Sequence, residues 1–120
     1  QKIVLLRKSQ SYIKHIPSDV IKGMNSSGLF SYTVNFSDSK KCDAIIICVP
    51  TPLTHHREPD MSYIVSTAES LAPYVRKGQL FSLESTTYPG TTKEVLKPIL
   101  ESKTNLKAGK GFFLAFSTER

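Results

Sequence analysis

Apolar residues recur along this chain in two rhythms that alternate. From Ala44 to Val49 the run A-I-I-I-C-V is continuous and is stopped by Pro50, the pattern of a strand buried on both faces of a parallel sheet. From Asp60 to Val75 the rhythm changes: Ile64, Ala68, Leu71 and Val75 fall along one helical face, with Asp60 placed to cap the start and Lys77-Gly78 to close the end. Gln79 to Glu84 reads as the next strand, Thr92 to Ser102 as the next helix and Phe112 to Phe116 as a further strand. Ahead of these, Lys2 to Lys8 reads as the closing turns of a helix, so more chain is expected before Gln1. Pro17 to Gly23 reads as a short helix bounded by Pro and Gly, and Phe30 to Phe36, alternating as F-S-Y-T-V-N-F, as a half-buried strand.

Strand, helix, strand, helix, strand predicts right-handed crossovers and a parallel α/β sheet. In such sheets ligands lie outside the C-terminal strand ends. Those ends are C-V-P-T-P-L (48 to 53), E-S-T-T-Y-P-G (84 to 90) and F-S-T-E-R (116 to 120), all rich in Pro, Ser, Thr and Glu. A hydroxyl-rich strand-to-helix turn can grip a phosphate or ribose, or it can simply cap the following helix through Thr91 or Thr92 with Glu94 behind. Hydroxyls at three successive strand ends favour the ligand site.

Length and composition narrow the class. The 120 residues, 39% hydrophobic and 22% charged, describe a single globular domain rather than a disordered chain. The longest apolar run falls far short of the ~20 residues that span a bilayer, and the first residues lack the layout of a signal peptide. The net charge of +6 raises nucleic acid as a partner, but no basic run exceeds Lys40-Lys41. The cations look scattered and are not interleaved with aromatics, so nucleic acid is not expected as a partner; with no apolar run of spanning length, neither is a membrane. Cys42 and Cys48 have no histidine or cysteine at metal-ligand spacing, and Cys48, ending an apolar run, reads as a buried structural thiol.

The order C-V-P-T-P-L, E-P-D-M-S-Y, L-E-S-T-T-Y-P-G-T-T and F-S-T-E-R resembles the UDP-glucose/GDP-mannose dehydrogenase family, whose members oxidise a nucleotide sugar to its uronic acid with two NAD. Together with S-Y-I-K-H-I-P-S near the start, the wording is most similar to the UDP-N-acetylglucosamine 6-dehydrogenase branch. The resemblance covers essentially the whole chain. It implies an incomplete, Rossmann-like doubly wound parallel sheet: residues 1–120 as the C-terminal portion of an NAD-binding domain, with the first βαβ portion and its glycine-rich turn expected before Gln1. The catalytic cysteine and lysine and the UDP-binding domain are expected after Arg120, so the chain by itself is expected to be inactive. The parent would be a cytoplasmic, homo-oligomeric enzyme of polysaccharide biosynthesis acting on a UDP-sugar.

On the same resemblance, Thr51 and Pro52, flanked by Val49, Pro50 and Leu53, match the loop that runs past the NAD ribose and pyrophosphate. Thr86 matches a cofactor contact, and Thr87 a residue that holds a catalytic water near the nicotinamide. Glu119 matches the glutamate of an S-P-E motif that assists hydrolysis of a thioester intermediate as general acid/base, although Thr118 stands where the family has proline. Lys2 matches a basic residue near the adenosine end, and Tyr63 a helix aromatic flanking the site. From the residues alone, a non-catalytic nucleotide- or phosphate-binding α/β module using the same loops is the alternative.

Overall fold

The computed structural model describes residues 2–85 and 90–117. They form two compact units, residues 1–35 and 36–120. In the first, α1 (Lys2–Arg7) and α2 (Ser18–Ser26) are joined through Asn25, whose Nδ2 donates to the Leu6 carbonyl at 2.8 Å and to Ser9 Oγ at 3.0 Å. Gly23 does not end α2: the helix runs on to Ser26, and Gly28, with a φ of 73°, is the glycine that turns the chain away.

Phe30 to Phe36 is not a strand. Residues 30–35 are irregular and Phe36–Lys41 is a 3-10 helix, leaving Val34 and Phe36 exposed. Alternation needs a neighbouring strand to become one, and these residues have none. Pairing of this segment beside Ala44–Val49, which would have closed that edge of the sheet, therefore does not occur.

In the second unit, β1 (Ala44–Ile47), β2 (Leu80–Leu83) and β3 (Phe113–Phe116) are parallel and lie side by side in chain order. Each is shorter than the sequence suggests, because the residues beyond it turn into loops. Between β1 and β2 the chain returns through α3 (Ser62–Leu71), which Pro73 converts into a 3-10 turn, Ala72–Tyr74. Between β2 and β3 it returns through a π-helical turn, Thr92–Leu96, that runs into α4 (Lys97–Glu101).

Two right-handed crossovers advancing in one direction place both helices on one sheet face. The core forms there: Ile47, Phe81 and Leu83 from the strands meet Ile64, Ala68, Leu71, Leu96 and Leu100 from the helices, with Phe112 edge-on to Phe81 at 5.8 Å between ring centroids. The opposite face carries Ile46, Leu80 and Phe113, which are exposed. The expectation that Ala44–Val49 is covered on both faces therefore fails for the described residues: Ile47 is 3% exposed and Ile46 61%. Cys48 shares the parity of Ile46 and is an exposed free thiol rather than a buried one.

At the N-terminal end of the strands, Gln79 is fully buried. Its Nε2 donates to the carbonyls of Ser39 and Cys42, both at 2.9 Å, and its Oε1 accepts from the Arg76 amide at 2.9 Å. A buried amide with these bonds satisfied fixes the entries to β1 and β2 relative to each other.

Candidate functional site

Three strand ends meet at one edge of the sheet. The Glu84 amide donates to the Ile47 carbonyl at 3.0 Å, and the Ser117 amide to the Leu83 carbonyl at 3.0 Å, so the ladder continues one step past each named strand. Beyond it, Ser85 takes over. Its hydroxyl donates to the Val49 carbonyl at 2.9 Å and accepts from the Val49 amide at 3.1 Å, and its residue surface is 3% exposed. One side chain thereby replaces a strand's two backbone bonds, and the chain from Val49 onward is free to leave the sheet. Ser85 was not singled out in the sequence, yet the signal was there: Phe81, Leu83 and Ser85 share one face, so a polar residue falls at a core position and must find partners.

The Pro-flanked loop is built as a small hairpin. Leu53 and Pro59 form an antiparallel bridge, the Thr54 amide donates to the Glu58 carbonyl at 2.8 Å, and Asp60 N–H donates to the Pro52 carbonyl at 2.7 Å. Thr54 Oγ1 accepts from the amides of His56 and Glu58, and Arg57 turns the tip with a φ of 58°. Within the predicted cofactor loop, Val49 and Thr51 are half-buried while Pro50, Pro52 and Leu53 are exposed. The hairpin fixes the loop's far end and Ser85 its near end, so Val49 to Leu53 is held at both ends with much of its surface open.

Asp60 lies at the base of that hairpin and starts α3. Its Oδ1 accepts from the Ser62 amide at 2.9 Å, the work of an N-cap carried out one residue before the helical boundary. The Ser62 hydroxyl and amide together hold the Asp60 carboxyl below its usual value. Tyr63 follows in the first turn of α3 with its side chain 48% exposed, available beside the same loop.

After the second strand, Gly90 has a φ of 86° and its carbonyl accepts from the Glu94 amide at 2.8 Å, opening the π-helical turn. Thr91 is buried. Thr92 Oγ1 is buried and has no hydrogen-bond partner among the described residues. A wide π turn with an unmatched hydroxyl, where helices of this kind meet ligands, is a polar position suited to a ligand atom.

The sequence-predicted residues divide accordingly. Val49, Pro50, Thr51, Pro52, Leu53 and Tyr63 are brought to the C-terminal edge of the sheet by β1, the hairpin and α3. Thr86, Thr87 and Glu119 lie outside the described residues. Lys2 belongs to the other unit, where its Nζ sits over the Tyr12 ring at 5.4 Å from the centroid.

Residues 1–120 match the UDP-glucose/GDP-mannose dehydrogenase family, NAD binding domain. The UDP-N-acetyl-D-glucosamine 6-dehydrogenase of Pseudomonas aeruginosa is 40% identical over 90 residues, covering 75% of this chain and 21% of that protein. Among solved structures, the NDP-N-acetyl-D-galactosaminuronic acid dehydrogenase of Methanosarcina mazei superposes with a TM-score of 0.90 at 34% identity, covering 99% of this chain and 26% of the other. The ternary complex of GDP-mannose dehydrogenase from Pseudomonas aeruginosa gives a TM-score of 0.91 at 26% identity, over 99% of this chain and 28% of that one. The chain thus spans about a quarter of the length of these relatives. It belongs to the UDP-glucose/GDP-mannose dehydrogenase family and constitutes NAD-binding domain sequence of that family, with the expected Rossmann-like parallel sheet.

Proposed function

Taking that membership as the premise, we propose that this chain serves an NAD-dependent nucleotide-sugar 6-dehydrogenase that oxidises UDP-N-acetylglucosamine to its uronic acid for polysaccharide biosynthesis in the cytoplasm, as a homo-oligomer. The observation that carries the reading is the loop from Val49 to Leu53, held open at the C-terminal edge of the sheet by Ser85 at one end and by the Leu53–Pro59 bridge at the other. The choice of sugar leans on the 40% identity to the UDP-N-acetyl-D-glucosamine 6-dehydrogenase of Pseudomonas aeruginosa. Relatives named for other sugars bound this choice.

NAD, when bound, accepts the hydrides removed from the primary alcohol of the sugar; two are needed to reach the acid. The chain's own residues bind and orient. Val49, Pro50, Thr51, Pro52 and Leu53 offer a rigid wall with one hydroxyl, in which two prolines lower the freedom lost on binding. Tyr63 flanks that wall, and Thr92 Oγ1 supplies an unmatched polar atom across the edge. Thr86 contacts the cofactor. Thr87 positions a water, and Glu119 takes and returns its proton during hydrolysis of the acyl intermediate. Lys2 meets the adenosine end.

The experiment is a substrate panel on the full-length protein that carries this chain. UDP-N-acetylglucosamine, UDP-N-acetylmannosamine, UDP-glucose and GDP-mannose are each incubated with NAD while NADH is followed. The reading expects two NADH per UDP-N-acetylglucosamine consumed and slower turnover of the other three. No NADH with any of them would remove the enzymatic reading, and preference for another sugar would remove only the substrate.

A further inference from the structure

The cations that look scattered along the sequence are gathered by the fold. Each strand is entered through a turn bearing two of them: Lys40 and Lys41 before β1, Arg76 and Lys77 before β2, Lys107 and Lys110 before β3. Parallel strands in register bring these turns level, with Ala44 beside Leu80 and Leu80 beside Phe113. Hydrogen bonds tie them together directly. Arg76 Nε donates to the Lys40 carbonyl at 2.6 Å and its Nη2 to the Cys42 carbonyl at 3.1 Å. The Gly78 amide donates to the Gly111 carbonyl at 2.7 Å, which sets Lys77 and Lys110 on adjoining turns. Among the described residues Asp38, Asp43 and Glu101 bring negative charge to these three turns; Asp43 is paired with Arg76 at 2.9 Å, and Glu101 Oε2 accepts from the Ala108 amide at 2.8 Å, so six cations face three carboxylates.

The side chains available on this ridge are all lysines. Lys40, Lys41, Lys77, Lys107 and Lys110 are exposed, whereas the Arg76 fork is committed to three carbonyls and Asp43. Backbone donors there are also committed: the amides of Cys42, Gly78, Leu80, Gly109, Lys110 and Gly111 all bond within the protein. No free guanidinium fork is left to read bases, and Phe36, at the far end of the first turn, is the one exposed aromatic among the described residues of the three turns, which disfavours nucleic acid. A single half-open phenylalanine, with Arg76 committed, falls short of the cluster of aromatic and arginine anchors that carries a specific protein interface. What remains is flexible point charge spread over three neighbouring strands, about 10 Å from the first to the third, and such a surface suits a partner recognised by charge density alone.

We propose that the N-terminal edge of the sheet, with Lys40, Lys41, Lys77, Lys107 and Lys110, is a peripheral docking surface for anionic lipid headgroups. It lies at the opposite end of the strands from the cofactor loops, so docking leaves Val49 to Leu53 facing away from the bilayer. No described helix is long and apolar enough to cross a membrane, so the association is electrostatic, reversible and weakened by salt.

The test is co-sedimentation of the full-length protein with vesicles of phosphatidylcholine containing about 30% phosphatidylserine and with pure phosphatidylcholine vesicles. Binding is expected to the anionic vesicles only and should disappear at about 0.5 M salt. The quadruple variant K40Q/K41Q/K77Q/K110Q should lose about three orders of magnitude in affinity, with its thermal midpoint and NAD affinity unchanged. The variant K93Q/K97Q, which removes two charges from the start of the second crossover helix, should lose far less. Equal loss in both variants would show that net charge alone is responsible and would overturn the assignment. So would absence of wild-type binding to anionic vesicles, or binding of an acidic peptide in preference to them.

Discussion

The Ser85 hydroxyl meets Val49 twice, donating to its carbonyl at 2.9 Å and accepting from its amide at 3.1 Å. Removing that hydroxyl leaves a donor and an acceptor of the β1–loop junction without partners. In the full-length protein Ser85→Ala should therefore cost about 1–3 kcal/mol of stability, read from urea denaturation, and should weaken NAD binding in calorimetry because the loop loses its near anchor. Unchanged stability and affinity would show that the junction is held by other contacts.

The proposed division of labour between Glu119 and Thr87 separates two steps. Glu119→Gln should still bind NAD but accumulate covalent sugar-enzyme intermediate in rapid-quench experiments, since only hydrolysis loses its carboxylate. Thr87→Ala removes one uncharged hydrogen-bonding group, worth about 0.5–1.5 kcal/mol, and should slow turnover less. Equal losses would mean that these roles are wrongly assigned.

Asp60 links the hairpin to α3, and its lowered pKa fixes the sign of a pH effect. A carboxyl whose folded pKa lies below its unfolded value stabilises the fold above the unfolded pKa and ceases to do so as pH falls through the folded one. Asp60→Ala should thus be less stable than wild type at neutral pH, with the difference closing on acidification through the carboxylate range. Denaturation midpoints of both proteins across that range check it. A difference that persists at the acid end would assign the effect to packing rather than to the charged cap.

On β1 the edge away from β2 has no strand beside it among the described residues, and Ile46 on its open face is 61% exposed. Such an edge pairs readily with another chain. Residues 1–120 expressed alone should self-associate with rising concentration in sedimentation experiments, and Ile46→Lys should shift the equilibrium towards monomer. A monomer at every concentration would show that the edge is protected.

Much of this architecture could be read from the sequence because continuous apolar runs stopped by Pro50 or by the hydroxyl-rich turn after Glu84 leave few alternatives to buried parallel strands. The second crossover was likewise legible as a helix from Thr92 to Ser102, though its π-helical opening was not. The segment from Phe30 to Phe36 misled because alternation describes a strand's faces and says nothing about whether a neighbour exists to pair with. Cys48 misled for a related reason: its run is apolar, but the strand ends at Ile47 and the next residue turns to the uncovered face. The lysine ridge could not be read because its members lie 30 or more residues apart from turn to turn and meet only through strand register.

The proposed function turns on Val49 to Leu53 being a wall of the NAD site. A crystal structure of the full-length protein with NAD tests it most directly. Cofactor density is expected along Val49, Pro50, Thr51, Pro52 and Leu53 with Tyr63 alongside. Cofactor bound with no contact to any residue of that loop would contradict it.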